Sequence, residues 1–313
     1  MAARATRSAS RNARRTEAVA TGPLGALSHD ELGVIVDGLA DPLQPVVAVA
    51  LSSTCLGLRT PLKAALEVLK ERHARAAALG RKSVRMVNLW DNDSVICAEL
   101  RDRTQLTWQC RSLTADDMTT LGLILHWMPR LTHLTMHACW CNSYSISDAY
   151  MHVLCEGLGR GAAPSLRFLG WSENHFGPVG AMALAAALRR GALPNFEELH
   201  ISDNPLGNEG AAALAPALKK LPALKVLDLG NDGIGDEGLA SLLDNLGKDD
   251  FKKLTRLYLD GNLSTDKGCA TIVAALKAGA LPALKACELI SDEMHASEEA
   301  CAAVKAALQQ RLG

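Results

Sequence analysis

The sequence predicts an α/β solenoid, with a curved parallel sheet on its concave face and helices on its convex face, behind a small helical head. Three observations predict it. A phrase of alternating apolar residues closed by a polar amide returns about every thirty residues. Each copy is followed by an Ala- and Leu-rich stretch at helical spacing. Aromatic residues are 4% of a 313-residue chain that is 48% apolar, so Leu, Ala and Val must fill the core, as they do when one small unit stacks on itself.

The phrases begin "LTHLTMHAC" at Leu131, "LRFLGWSEN" at Leu166, "FEELHISDN" at Phe196, "LKVLDLGND" at Leu224, "LTRLYLDGN" at Leu254 and "LKACELISD" at Leu284. Two weaker copies start at Arg103 and Val84. In the third phrase Leu199 and Ile201 alternate toward the core as a short strand. Ala211, Leu214, Ala215 and Leu218 then repeat at helical intervals.

Between strand and helix the chain must turn, which leaves buried backbone groups that no strand can pair. An inward Asn amide, with two donors and an acceptor, can bond turn backbone in its own rung and the next. Asn174, Asn204 and Asn262 hold that position, Asp232 and Asp292 replace the amide with a carboxyl, and Cys139 stands there in the Leu131 rung. Asn208, four residues further along, is expected to contribute much less. Gly210 is expected to let the helix approach the sheet closely.

Rungs of 28–30 residues with "LGNEG" and "IGDEG" turns resemble the ribonuclease-inhibitor-like subclass of leucine-rich repeats over about residues 84–313. The resemblance implies fold; the subclass serves many functions. The last stretch, "EEACAAVKAALQQRLG", reads as a C-terminal cap.

Residues 24–79 do not fit the repeat and read as several short helices, ending in the amphipathic "PLKAALEVLKERHARAAAL". Leu27, Glu31–Leu32, Ile35, Leu39, Leu43 and then "ALSSTCLGLR" with Cys55 and Arg59 resemble an F-box, although Ser28 stands where that family has proline. The resemblance implies a ubiquitin-ligase adaptor as partner, with Leu32 and Ile35 in its contact region. The same segment also reads as an N-terminal cap over the first rung. Residues 1–22 carry five Arg and one acid, and read either as a disordered basic tail or as an organelle transit segment. The expected organisation is therefore 1–22, 24–79 and 80–313.

With 33 Lys+Arg against 34 Asp+Glu, net charge gives no reason to expect nucleic acid or membrane as a partner. No apolar run approaches the roughly 18 residues of a membrane helix. Nine cysteines, odd in number and without CxxC pairs, read as reduced thiols in a cytoplasmic or nuclear protein.

His133, His137, Cys139, Cys141, His152 and Cys155 crowd into one stretch, but repeat register sends the thiols into the core and the two strand histidines to the opposite face, so no metal is expected. No phosphate loop, nucleophile elbow or zincin helix is present, so neither catalysis nor a cofactor is expected.

The concave sheet face is the candidate protein-binding site. Its residues are Glu173, Glu197, Glu198, His200, Asp203, Asp228, Arg256, Tyr258, Asp260 and Glu288. Seven carboxylates are expected against the bases Arg167, Lys225, Arg256 and Lys285, which favours a basic partner. Trp140 and Tyr144, in the longer Leu131 rung, are candidate anchors. The reading that follows is a protein-interaction module, with an F-box ligase receptor as its sharper form. The alternatives are a GTPase activator of the Ran-directed leucine-rich repeat type, onto which no activating Arg maps, and a scaffold without a ligase link.

Overall fold

The computed structural model describes residues 40–46, 48–50, 63–83, 92–109, 113–137, 146–247, 249–289 and 295–312. Contacts divide the chain into two units, Met1–Ala78 with Trp90–Ala98, and Leu79–Leu89 with Glu99–Gly313. Residues 1–22, the rung at Val84, and Leu32, Ile35, Cys55 and Arg59 of the F-box-like run lie outside the described residues. In the first unit Leu43 is buried, and the His73 Nδ1 lies 2.8 Å from the Pro42 carbonyl. Among the described residues before the first strand, the longer helices are α1 (Lys63–Arg81) and α2 (Asp93–Asp102).

From there strands and helices alternate. The order is β1 (Gln105–Gln109), α3 (Ala115–Ile124), β2 (His133–His137), α4 (Asp148–Gly157), β3 (Phe168–Gly170), α5 (Pro178–Arg189), β4 (Glu198–His200) and α6 (Gly207–Leu218). It continues with β5 (Val226–Asp228), α7 (Asp236–Leu243), β6 (Arg256–Tyr258), α8 (Asp266–Lys277), β7 (Ala286–Glu288) and α9 (Glu298–Leu312). The strands form one parallel sheet in sequence order. Its register pairs Gln105 with His133, Phe168, Glu198, Val226, Arg256 and Ala286 in turn, so each strand sits where the sequence period places it.

Leu134, Leu169, Leu199, Leu227, Leu257 and Cys287 stack as one inward column, all buried. Strands repeat at about 4.8 Å, whereas packed helices need about 8–10 Å. The sheet therefore lies on the inside of the curve.

The inward amides donate as assigned, with one correction of direction, whereas the Asn204 Oδ1 is buried without a hydrogen-bond partner. Asn204 Nδ2 donates to the carbonyls of Ile201, in its own rung, and of Trp171, in the rung before. Asn262 Nδ2 does the same with Leu259 and Leu229, and its Oδ1 accepts from the backbone N–H groups of Asp232 and Ile234. Asn174 donates to Trp171 and Met136. Each amide reaches back to the preceding rung, not forward.

Asn208 departs further from expectation. Helix α7 has no side-chain cap of its own at Gly235. Asn208 Oδ1, on α6, accepts the N–H groups of Gly235 and Gly238 at 2.7 and 3.0 Å. Asp148 Oδ1 caps α5 in the same way through Gly177 and Gly180, and Asp236 reaches Thr265 at the start of α8. The first turn of one helix thus caps the next, a second ladder running parallel to the first.

Gly238 is where the two helices touch: an added Cβ would lie 2.8 Å from Asn208 Oδ1. Gly210, expected to admit the sheet, instead faces Leu206 of its own turn and Ala181 of α5. Helix α9 buries Cys301, Val304 and Leu308 and exposes the opposite side.

Both ladders therefore matter. Asn204→Ala should cost about 1–3 kcal/mol, because it strands buried carbonyls. Asn208→Ala should cost about 1 kcal/mol for a lost helix cap. Chemical denaturation of the two variants checks both; an unchanged Asn208→Ala midpoint would rule out the capping ladder.

Candidate functional site

Of the ten sequence-predicted concave residues, six line one groove of about 300 Å³ between β4 and β7: His200, Asp203, Asp228, Tyr258, Asp260 and Glu288. Strand register explains the grouping. His200, Asp228, Tyr258 and Glu288 are direct partners on adjacent strands. Asp203 and Asp260 follow in the turns just past those strands. Ser202, Gly230 and Asn231 also line the groove and were not singled out from the sequence. Their signal was available, since they occupy the same outward turn positions as Asp260 and Asp203 one repeat away.

The other four predicted residues lie outside it. Glu173 is exposed one rung earlier. Glu197 is held between Arg167 Nη1 at 2.7 Å and Lys225 Nζ at 2.6 Å. The Lys225 hydrogen bond, helped by both cations, keeps its carboxyl below the usual range. It is already neutralised. Glu198 Oε2 lies 3.5 Å from His200 Nε2, and Arg256 is exposed at the start of β6. Trp140 and Tyr144 lie outside the described residues, as do Cys139 and Cys141.

The charges sort along the strand direction. Arg167, Lys225, Arg256 and Lys285 stand at or just before the strand starts, whereas Asp203, Asp228, Asp260 and Glu288 gather at the strand ends. Glu197 and Glu198 also stand at a strand start, but no Lys or Arg joins the carboxylates at the described strand ends.

His200 joins the groove to the rest of the face. Its Nδ1 lies 3.2 Å from Asp228 Oδ2, whose other oxygen accepts the Gly230 N–H. Its ring stacks on Phe168 at 4.9 Å, and Phe168 stacks on His133 at 5.5 Å. Gly170 makes this possible. A Cβ there would lie 2.8 Å from Phe168 Cε1, so the missing side chain is the space over which that ring lies.

Elsewhere Cys155 is buried, and burial pushes its thiol up to about 12, so it stays a neutral core group. His152 pairs with Glu156 at 3.3 Å. Among the described residues no group of His, Cys, Asp and Glu is arranged to hold a metal.

The hydrogen bond to Asp228, with Glu198 adding, raises the His200 pKa above its usual 6.5 against the opposing effect of burial. A pKa raised on folding contributes stability that is complete below pH 6.5 and is lost as pH rises through the raised value. The His200 imidazole, followed by NMR, should therefore titrate above 6.5, and Asp228→Asn should bring the midpoint down. An unmoved midpoint in that variant would remove Asp228 as the cause.

A family model described as Leucine Rich repeat matches residues 192–215 and 220–243. The two matches are offset by 28 residues, the same step that separates β4 from β5, and each runs from a strand into its helix. No curated protein matches the chain. The repeat match and the seven-stranded parallel sheet with helices returning between strands together define the fold: it is an α/β leucine-rich repeat solenoid.

Proposed function

We propose that the chain is a protein-interaction module that takes a Lys- or Arg-bearing segment of a partner protein into the groove at the strand ends of β4 to β7. One observation carries the reading: among the described residues four carboxylates and no Lys or Arg line that groove, while the sheet's cations stand at the opposite ends of the strands. From His200 to Glu288 the groove crosses three strand spacings, about 14 Å. That is room for about four residues of extended chain. The scaffold is preformed, so little ordering cost falls on the module itself. Exposed ion pairs contribute only about 0.2–1 kcal/mol each, so the carboxylates act chiefly on partner choice and association rate.

The sharper reading places this module in an F-box type ubiquitin ligase. It is supported by the run from Leu27 to Arg59. The GTPase-activator reading has no residue here to carry it.

Replacing Asp203, Asp260 and Glu288 together by Lys should slow association with oligo-Arg and oligo-Lys peptides at least about tenfold at low salt. The difference should shrink as salt rises. Asp228 is left intact because it holds His200 and Gly230. The matched control reverses Glu209, Glu237 and Glu299 on the helix side, all exposed. Loss of binding in the control with retention in the groove variant would place the binding face on the helices.

The ligase reading has its own test. Leu32→Lys with Ile35→Lys should abolish co-purification with a ligase adaptor while leaving the circular dichroism of the repeat unchanged. A wild-type chain that binds no adaptor would end that reading and leave the interaction module standing.

A further inference from the structure

Among the described rungs the amide position is filled by Asn174, Asn204 and Asn262, and once by a titratable residue, Asp232. Asp232 has no exposed surface. Its two carboxyl oxygens meet different demands. Oδ1 acts as an amide oxygen does, accepting the backbone N–H of Asn204 at 2.8 Å, just as Asn262 Oδ1 accepts that of Asp232. Oδ2 is buried and has no hydrogen-bond partner.

The neighbouring rungs show what belongs at that second atom. In each, the amide Nδ2 donates to the carbonyl three residues earlier and to its counterpart one rung back. For Asn204 these are Ile201 and Trp171, and for Asn262 they are Leu259 and Leu229. The same rule applied to Asp232 gives the carbonyls of Leu229 and Ile201. An ionised carboxylate would meet them with lone pairs only, whereas a carboxylic acid has one O–H to donate.

The surroundings favour the acid. Asn204 and Asn262, packed from the rungs on either side, do not titrate. The charged groups that act on Asp232 are Asp228 of its own strand and Asp203 of the rung before, and both oppose a further negative charge.

We infer that Asp232 is an uncharged carboxylic acid in the native protein, with its Oδ2–H donating to the Leu229 or Ile201 carbonyl. Ionisation removes that donor and sets a carboxylate against two carbonyl oxygens, which loosens the rung that carries Asp228 and the centre of the groove. Among the described rungs, the repeat is therefore alkali-sensitive at Asp232. The inference does not depend on what the groove binds.

Burial, outweighing the Asn204 N–H and reinforced by Asp228 and Asp203, pushes this carboxyl up to about 9 from its usual 3.8. Because the folded value lies above the unfolded one, the contribution to stability is complete below about pH 4 and is lost as pH rises through about 9. This is the reverse of an ordinary ion-paired Asp. Over that interval one proton's worth of linkage changes the unfolding constant up to about tenfold per pH unit.

The test compares the full chain with Asp232→Asn, which restores an amide and cannot ionise. Across pH 5–9 the ratio of wild-type to variant unfolding constants should grow by up to about tenfold per pH unit. A ratio that stays flat overturns the inference. Since stacked repeats can unfold in stages, a second measurement follows the ¹³C carboxyl resonance of Asp232, assigned by its loss in the variant. A protonated carboxyl shift from pH 5 through pH 8 supports the inference, and a titration midpoint near pH 4 sinks it.

Discussion

Every rung of this solenoid must solve one problem: where the chain leaves the sheet, its backbone is buried and has no strand to pair with. An unpaired buried carbonyl or N–H costs about 1–3 kcal/mol, and the cost would recur at each of the stacked turns. The inward amide meets it with donors from a single side chain, and at Asn174 and Asn262 with an acceptor as well. Because Asn204 and Asn262 each bond the rung before as well as their own, the same side chain that closes a turn also fixes the spacing to its neighbour. Strand register follows from the turn, and the position of every outward residue follows from register.

The capping ladder solves the matching problem on the other side. Four N–H groups at each helix start lack partners within the helix. Asp148, Asn208 and Asp236 supply acceptors to the helix that follows, and Gly180 and Gly238 allow it to come close enough to be reached. Tested by their partners, the two ladders are one device used twice, once behind the sheet and once between helices. The face left over, the outward face of the strands, closes neither the turn nor the helix start, although Asp228 there accepts the Gly230 N–H. It is free to hold charge in whatever order a partner requires.

This division explains what was legible in the sequence. Anything set by a residue's own place in the repeat could be read: the strand positions, the inward column from Leu134 to Cys287, the amide position and the outward identity of His200 or Asp228. Apart from the inward amide's reach to another rung, what contact between rungs decides could not. Asn208 looked like an ordinary turn residue because its partners, Gly235 and Gly238, are 27 and 30 residues away. Glu197 counted as an available carboxylate until Arg167 and Lys225 were seen on either side of it. The vacancy at Gly170 has meaning only beside Phe168 and His200. The period gives the column a residue occupies, and the neighbours in that column decide what the residue does.

Substitution within a column therefore tests what the column is for. On the outward face an exchange of sign at exposed Arg256 alters the field a partner would meet. In the amide column the tolerance is narrower, because the position must donate as well as accept. Aspartate can satisfy it only by keeping a proton, and the negative charges of Asp203 and Asp228 on the sheet side make that proton harder to lose. The acidity that suits the groove to a basic partner thus also supports the uncharged form of the residue beneath it. Among the described rungs, surface charge and buried turn become coupled at the rung of Asp232.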